Sequence, residues 1–163
     1  MSRCHFYLIL QLLLVCILNY NLNAQTTIKK IDNRWTLTVE GDPFEIKGAT
    51  FGYEKEVENY DRYFQDLKFL GVNTIRLWAT NQNTPKLLDA ADKHGLKVMV
   101  GIWMRHGRPG MEDDDSFDYL KDHDGMEDMY NNAIEVVKNY QNHPAVLFWA
   151  IGNEVYLNMA TAA

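Results

Sequence analysis

Apolar runs that alternate with helix-patterned segments constrain this chain more than any other feature. The runs are residues 48–51 (GATF), 73–79 (NTIRLWA), 96–103 (LKVMVGIW) and 145–151 (AVLFWAI). Near-continuous apolar runs suit strands covered on both faces, as in parallel sheets. The first predicted helix covers about residues 58–70, with Tyr60, Tyr63, Phe64 and Leu67 at helical spacing and Gly71 as C-cap. The second opens on Thr84 as N-cap with Pro85 at its first position, carries Leu87, Leu88 and Ala91 on one face, and stops at Gly95. The third covers about residues 126–141, turns Met129, Ala133, Val136, Val137 and Tyr140 inward, and is closed by His143-Pro144. Strict alternation of this kind means a parallel sheet with helical crossovers. A doubly wound sheet and a barrel both fit. The doubly wound form predicts a glycine-rich phosphate loop after the first strand. Residues 51–55 (FGYEK) contain none, and a P-loop is absent too, so the barrel is favoured.

Ahead of the first run, residues 34–40 (RWTLTVE) alternate apolar and polar, residues 41–43 (GDP) turn, and residues 44–47 return, which predicts a β-hairpin. Before that lies the three-part pattern of an export signal. Arg3 is the positive head, residues 6–18 are apolar apart from Gln11, and a polar stretch leads to Ala24. Cleavage after Ala24 gives a signal over residues 1–24 and a catalytic-domain segment over 25–163, secreted or periplasmic. The rival is a lipoprotein signal ending at Cys16, for which Val15 is a poor neighbour. No membrane attachment is expected after cleavage. Cys4 and Cys16 are the chain's two cysteines and both lie in this segment, so the remainder has no disulfide framework. The formal charge is −6, and no basic footprint for nucleic acid exists.

The last run ends at Gly152, followed by Asn153 and Glu154, an amide and a carboxylic acid at the C-terminal end of a strand. In a parallel α/β barrel that end carries catalytic groups, and such a carboxyl is suited to general acid/base work. The stretches GDPFEIKGATF, GVNTIRLWAT and NHPAVLFWAIGNE together resemble the glycoside hydrolases of clan A, the barrel enzymes that include families 2, 5 and 17. The approach to the fourth strand is similar to family 2, and the opening hairpin also suits family 5. The resemblance implies a (β/α)8 TIM barrel, of which this chain covers the hairpin and about the first four βα units.

It also implies chemistry on an oligo- or polysaccharide, without metal or other cofactor. Glu154 would be the general acid/base, Asn153 would hydrogen-bond the sugar 2-hydroxyl, and Arg76 would help keep a second carboxylate ionised. The competing readings are a solvent-facing residue for Glu154, a turn-forming amide for Asn153 and a structural ion pair for Arg76. Sugar faces stack on aromatic rings, which makes Trp78 and Trp103 at strand ends and Tyr53 in a following loop candidate platforms. Packing in the core is the alternative for both tryptophans and is the expected role of Trp149. His106 could orient a hydroxyl or be a bystander. The acidic loop with Glu112, Asp113, Asp114, Asp115, Asp118, Asp122 and Asp124 does not fit a calcium hand, because Leu120 stands where the first acidic ligand belongs. A solvated rim is expected there.

Double displacement requires a nucleophilic carboxylate, which clan A carries on its seventh strand. Glu54 and Glu112 lack that strand context. The expectation is therefore the N-terminal part of a longer retaining hydrolase acting on β-linked glycans. A transglycosylase using the same residues, or a non-catalytic carbohydrate-binding half barrel, are the alternatives. Oligomeric state, sugar and linkage are not readable.

Overall fold

A computed structural model describes residues 26–107, 117–153 and Val155. The predicted signal lies outside the described residues. Strands β1 (Thr26–Ile31), β2 (Arg34–Val39) and β3 (Asp42–Pro43) form a small antiparallel sheet in the order β1-β2-β3. Then follow β4 (Gly48–Thr50), α1 (Tyr60–Phe69), β5 (Thr74–Arg76), α2 (Thr84–Lys93), β6 (Lys97–Ile102), α3 (His123–Tyr140) and β7 (Val146–Ile151). β4 to β7 form a parallel sheet in chain order. Each helix therefore returns the chain one strand further in the same direction. A doubly wound sheet reverses direction, whereas the opening arc of a barrel does not.

The hairpin differs from its sequence reading. The principal turn is Asp32-Asn33, with φ of 48° and 67°, joining β1 to β2. Positive φ at both central residues is the geometry that matches strand twist, and Asp and Asn tolerate it. The predicted second arm shrinks to Asp42–Pro43, turned by Glu40 and Gly41 at φ of 55° and 96°. The chain then leaves β2 because Asn73 draws it into the barrel. Asn73 donates Nδ2 to the Glu45 oxygen at 2.7 Å and accepts Lys47 N at 2.8 Å on Oδ1.

Both α1 and α2 end in a doubly bonded C-terminal turn. Val72 N donates to Leu67 O and Gly71 N to Lys68 O, and the same pattern recurs with Leu96 to Ala91 and Gly95 to Asp92. Thr84 is the first residue of α2 rather than its N-cap, and its hydroxyl reaches back to accept Asn81 N at 2.9 Å. α3 begins three residues before its predicted start, because Asp122 accepts Gly125 N at 2.9 Å and caps it.

The predicted apolar helix faces meet the outer side of the arc. Phe64, Leu87, Leu88 and Ala91 are fully buried against Ile75, Val98 and Val100, with Val136 from α3. Burying each large aliphatic or aromatic side chain contributes about 1.5–3 kcal/mol. Trp149 packs against the same cluster, as a core residue. Facing the other way, Thr50, Arg76, Met99 and Phe148 line the inner side. β7 carries one extra residue there. Val98 pairs with Val146 but Met99 pairs with Phe148, so Leu147 bulges. Among the described residues no helix is long and apolar enough to cross a membrane.

Candidate functional site

The site is built at the C-terminal ends of β5, β6 and β7. β5 is shorter than predicted, since its ladder stops at Arg76 and its last cross-strand bond runs from Leu77 N to Met99 O at 3.0 Å. The Leu77-Trp78 backbone then lies directly against Gly101 of β6. A Cβ on Gly101 would stand 2.3 Å from Leu77 O and 2.4 Å from Trp78 C and O, so only glycine fits. This crossing lets Arg76 and Trp78, two residues apart, associate. The guanidinium lies 4.1 Å from the Trp78 ring centroid, and Trp78 is 37% exposed.

Arg76 Nη2 donates to Asn153 Oδ1 at 2.8 Å. Among the described residues no carboxylate pairs with Arg76, and its buried Nε has no acceptor. Asn153 reaches the arginine because the chain leaves β7 through Gly152, at φ +73°. Gly152 N still bonds Ile102 O at 2.8 Å, the final link to β6 among the described residues. With Oδ1 occupied by Arg76, the Asn153 amide keeps its Nδ2 as a donor for a ligand hydroxyl.

His106 is fully buried, and its Nε2 bonds the main-chain oxygen of Asn153 at 2.8 Å. The Trp103 ring meets the imidazole in a T-shaped contact, with centroids 5.1 Å apart and planes at 74°. The loop stem is fastened around them: Phe117 N donates to His106 O at 3.0 Å, Tyr119 donates its hydroxyl to Arg105 O, and Arg105 stacks over Phe117. Arg76, Trp78, Asn153, His106 and Trp103 are thus one connected group. Tyr53 stands apart from those contacts. It is 56% exposed, and its ring neighbours are Phe51 and Tyr63. Its loop is held by Tyr60, which donates to Glu54 O, and by Tyr63, which donates to Glu56. The Tyr60 phenol is raised above its ordinary pKa by burial and then by Glu54 and Glu58, and Tyr63 chiefly by its bond to Glu56.

Glu154 lies outside the described residues, as do Glu112, Asp113, Asp114 and Asp115. Asp118 and Asp122 have structural partners: Asp118 accepts Leu120 N at 3.0 Å and pairs with Lys121, and Asp122 caps α3. Among the described residues no three metal-binding side chains cluster. Two features escaped sequence reasoning. The Arg76–Trp78 stack had a signal, because residues two apart on a strand share a face. The bond from His106 to a main-chain oxygen had none, since it joins residues far apart in sequence.

Residues 42–163 match the family model described as glycosyl hydrolases family 2, TIM barrel domain. The chain is 28% identical over 135 residues to the β-galactosidase BoGH2A of Bacteroides ovatus, covering 77% of this chain and 15% of that protein. It is also 28% identical over 128 residues to an exo-β-D-glucosaminidase of Arthroderma benhamiae, covering 74% and 14%. The chain thus spans about a seventh of the length of these curated relatives. Its fold is similar to the endo-1,4-β-mannanase from Rhizomucor miehei, with a TM-score of 0.59, 16% identity, and coverage of 72% of this chain and 46% of that one.

Proposed function

This chain belongs to glycosyl hydrolase family 2, and on that premise we propose that the full-length protein is an exported retaining glycosidase acting on β-linked glycans. One observation carries the reading. An arginine ending β5 and an amide two residues beyond β7 meet at 2.8 Å, at the end of the barrel arc where chemistry is done. The peptide after Asn153 leads directly to Glu154, the residue proposed as general acid/base.

Breaking a glycosidic bond requires a proton for the leaving oxygen and a carboxylate for the anomeric carbon, about 5–5.5 Å apart in retaining enzymes. Glu154 supplies the proton in the first step and takes one from water in the second. Asn153 donates through Nδ2 to the 2-hydroxyl, a bond that strengthens in the transition state. Arg76 gives the inner wall a cation without a carboxylate partner among the described residues, suited to holding the nucleophile ionised. Trp78, stacked on Arg76, and Trp103, beside His106, are the rings proposed to offer surface to a sugar. The two relatives are named for β-galactoside and β-D-glucosaminide substrates, in keeping with a β linkage. Residues 1–24 act as the export signal in this proposal.

The decisive variant is Glu154→Gln in the full-length protein. Turnover of unactivated glycans should fall by at least about 10²-fold, the range attributed to general acid catalysis. Unchanged turnover would refute the role. NMR of the first-formed anomer separates retention from inversion, and added acceptor sugars distinguish hydrolysis from transglycosylation.

A further inference from the structure

We propose that His106 is a positioning residue for the acid/base carboxyl, acting through its hydrogen bond to the main-chain oxygen of Asn153. That oxygen belongs to the peptide shared with Glu154. A peptide group is planar, so the direction of its carbonyl sets the direction in which the chain enters residue 154. The inference rests on the glycosidase reading with Glu154 as acid/base.

Strand structure cannot provide this restraint. Among the described residues the last β6–β7 bond is Gly152 N to Ile102 O, and Gly152 then turns with a positive φ out of the ladder. The carbonyl of the following residue, Asn153, is the one His106 takes, across 47 residues of sequence, in a buried bond of 2.8 Å. A carbonyl oxygen only accepts, so Nε2 carries the proton. The ring is held by its T-shaped contact with Trp103, and its backbone by the Phe117 bond to the His106 carbonyl. His106 is fully buried, and the role proposed here acts through Asn153.

Asn153 is therefore held twice, through its side chain by Arg76 and through its main chain by His106. The first bond orients the amide toward a sugar hydroxyl, and the second orients the peptide leading to the acid. Catalytic geometry tolerates little error. A misplacement of about 1 Å lowers rate on the order of 10²-fold.

The test compares His106→Leu, His106→Gln and Glu154→Gln in the full-length protein. The probes are 2,4-dinitrophenyl and phenyl β-glycosides of galactose, glucosamine and mannose. Dinitrophenolate leaves without a proton, whereas phenol needs one, so loss of acid positioning falls on the phenyl glycosides. His106→Leu should lower kcat/KM, which reports the first step, on phenyl glycosides about 10²-fold, with a far smaller loss of kcat/KM on dinitrophenyl glycosides. Glutamine returns an N–H close to the place of Nε2, so His106→Gln should recover most of that loss. Equal losses on both leaving groups, or a glutamine variant no better than leucine, overturn the inference while Glu154→Gln remains impaired. If Glu154→Gln is unimpaired, or no glycoside is cleaved by the unaltered protein, the glycosidase reading fails and takes the inference with it.

Discussion

Replacing Gly101 with alanine forces a methyl group into the narrowest crossing in the barrel arc. The new Cβ would meet Leu77 O at 2.3 Å and Trp78 C and O at 2.4 Å. A relaxed carbon–oxygen contact is about 3.3 Å or longer, so roughly 1 Å must be opened. All three atoms are main chain, and no rotamer change moves them. Just before the crossing, Arg76 pairs with Met99, and Leu77 N bonds Met99 O at 3.0 Å. Relief therefore means separating the ends of β5 and β6. Overpacking costs about 1–3 kcal/mol, and a rigid site falls at the upper end. Alanine returns about 0.4–1 kcal/mol by restricting the unfolded chain. The expected net loss is about 2 kcal/mol, measured as a lowered urea midpoint of the full-length protein with unchanged m. Gly52→Ala is the control: nothing lies within 4 Å of its Cβ, and its stability should change by less than about 0.5 kcal/mol. If the two variants behave alike, the strand ends yield freely and the argument is wrong.

Asp122→Ala should cost about 1 kcal/mol in the same titration by removing the cap of α3, and Asp122→Asn should keep most of it. Full retention by alanine would remove Asp122 from the account of that helix. The Asp61 carboxyl is held below its ordinary 3.8 by hydrogen bonds from Lys93 and His94. A depressed folded pKa means that the stabilisation is complete above the unfolded value and is lost as pH falls through the folded one. Carboxyl NMR should place the Asp61 midpoint below 3.8 and move it upward in Lys93→Met. A midpoint indifferent to that substitution would discount the pair.

Much of the arc was legible because burial writes itself into apolar spacing. Tyr60, Phe64, Leu87, Leu88, Ala91 and Val136 were assigned inward by periodicity and are buried. Boundaries were legible only where a local signal was read. Asp32-Asn33 announces a turn, yet the strand before it, Thr26–Ile31, lacks the clean alternation of residues 34–40 and shows only in the structure. The acidic run around Asp122 draws the eye to calcium, while its spacing to Gly125 suits a cap equally well. Of the site, Arg76 and Asn153 were nameable from strand ends, but their contact depends on how three strands are staggered. His106 shows the limit most sharply. Sequence offers its ring as a candidate ligand for substrate, and only packing reveals that the buried ring also bonds a main-chain oxygen.

The extra residue at Leu147 sets the parity of everything downstream. Before it, Val146 shares the outer side with Val98. After it, Phe148 and Ala150 come into step with Met99 and Gly101. Since faces alternate residue by residue, deleting Leu147 or inserting a neighbour would transpose Phe148 and Trp149 between cavity and helix layer. The transposition would run on through Gly152 to Asn153 and turn its amide away from Arg76. Point substitutions in β7 are matters of volume. A change of one in its length is a matter of odd and even, which no repacking corrects.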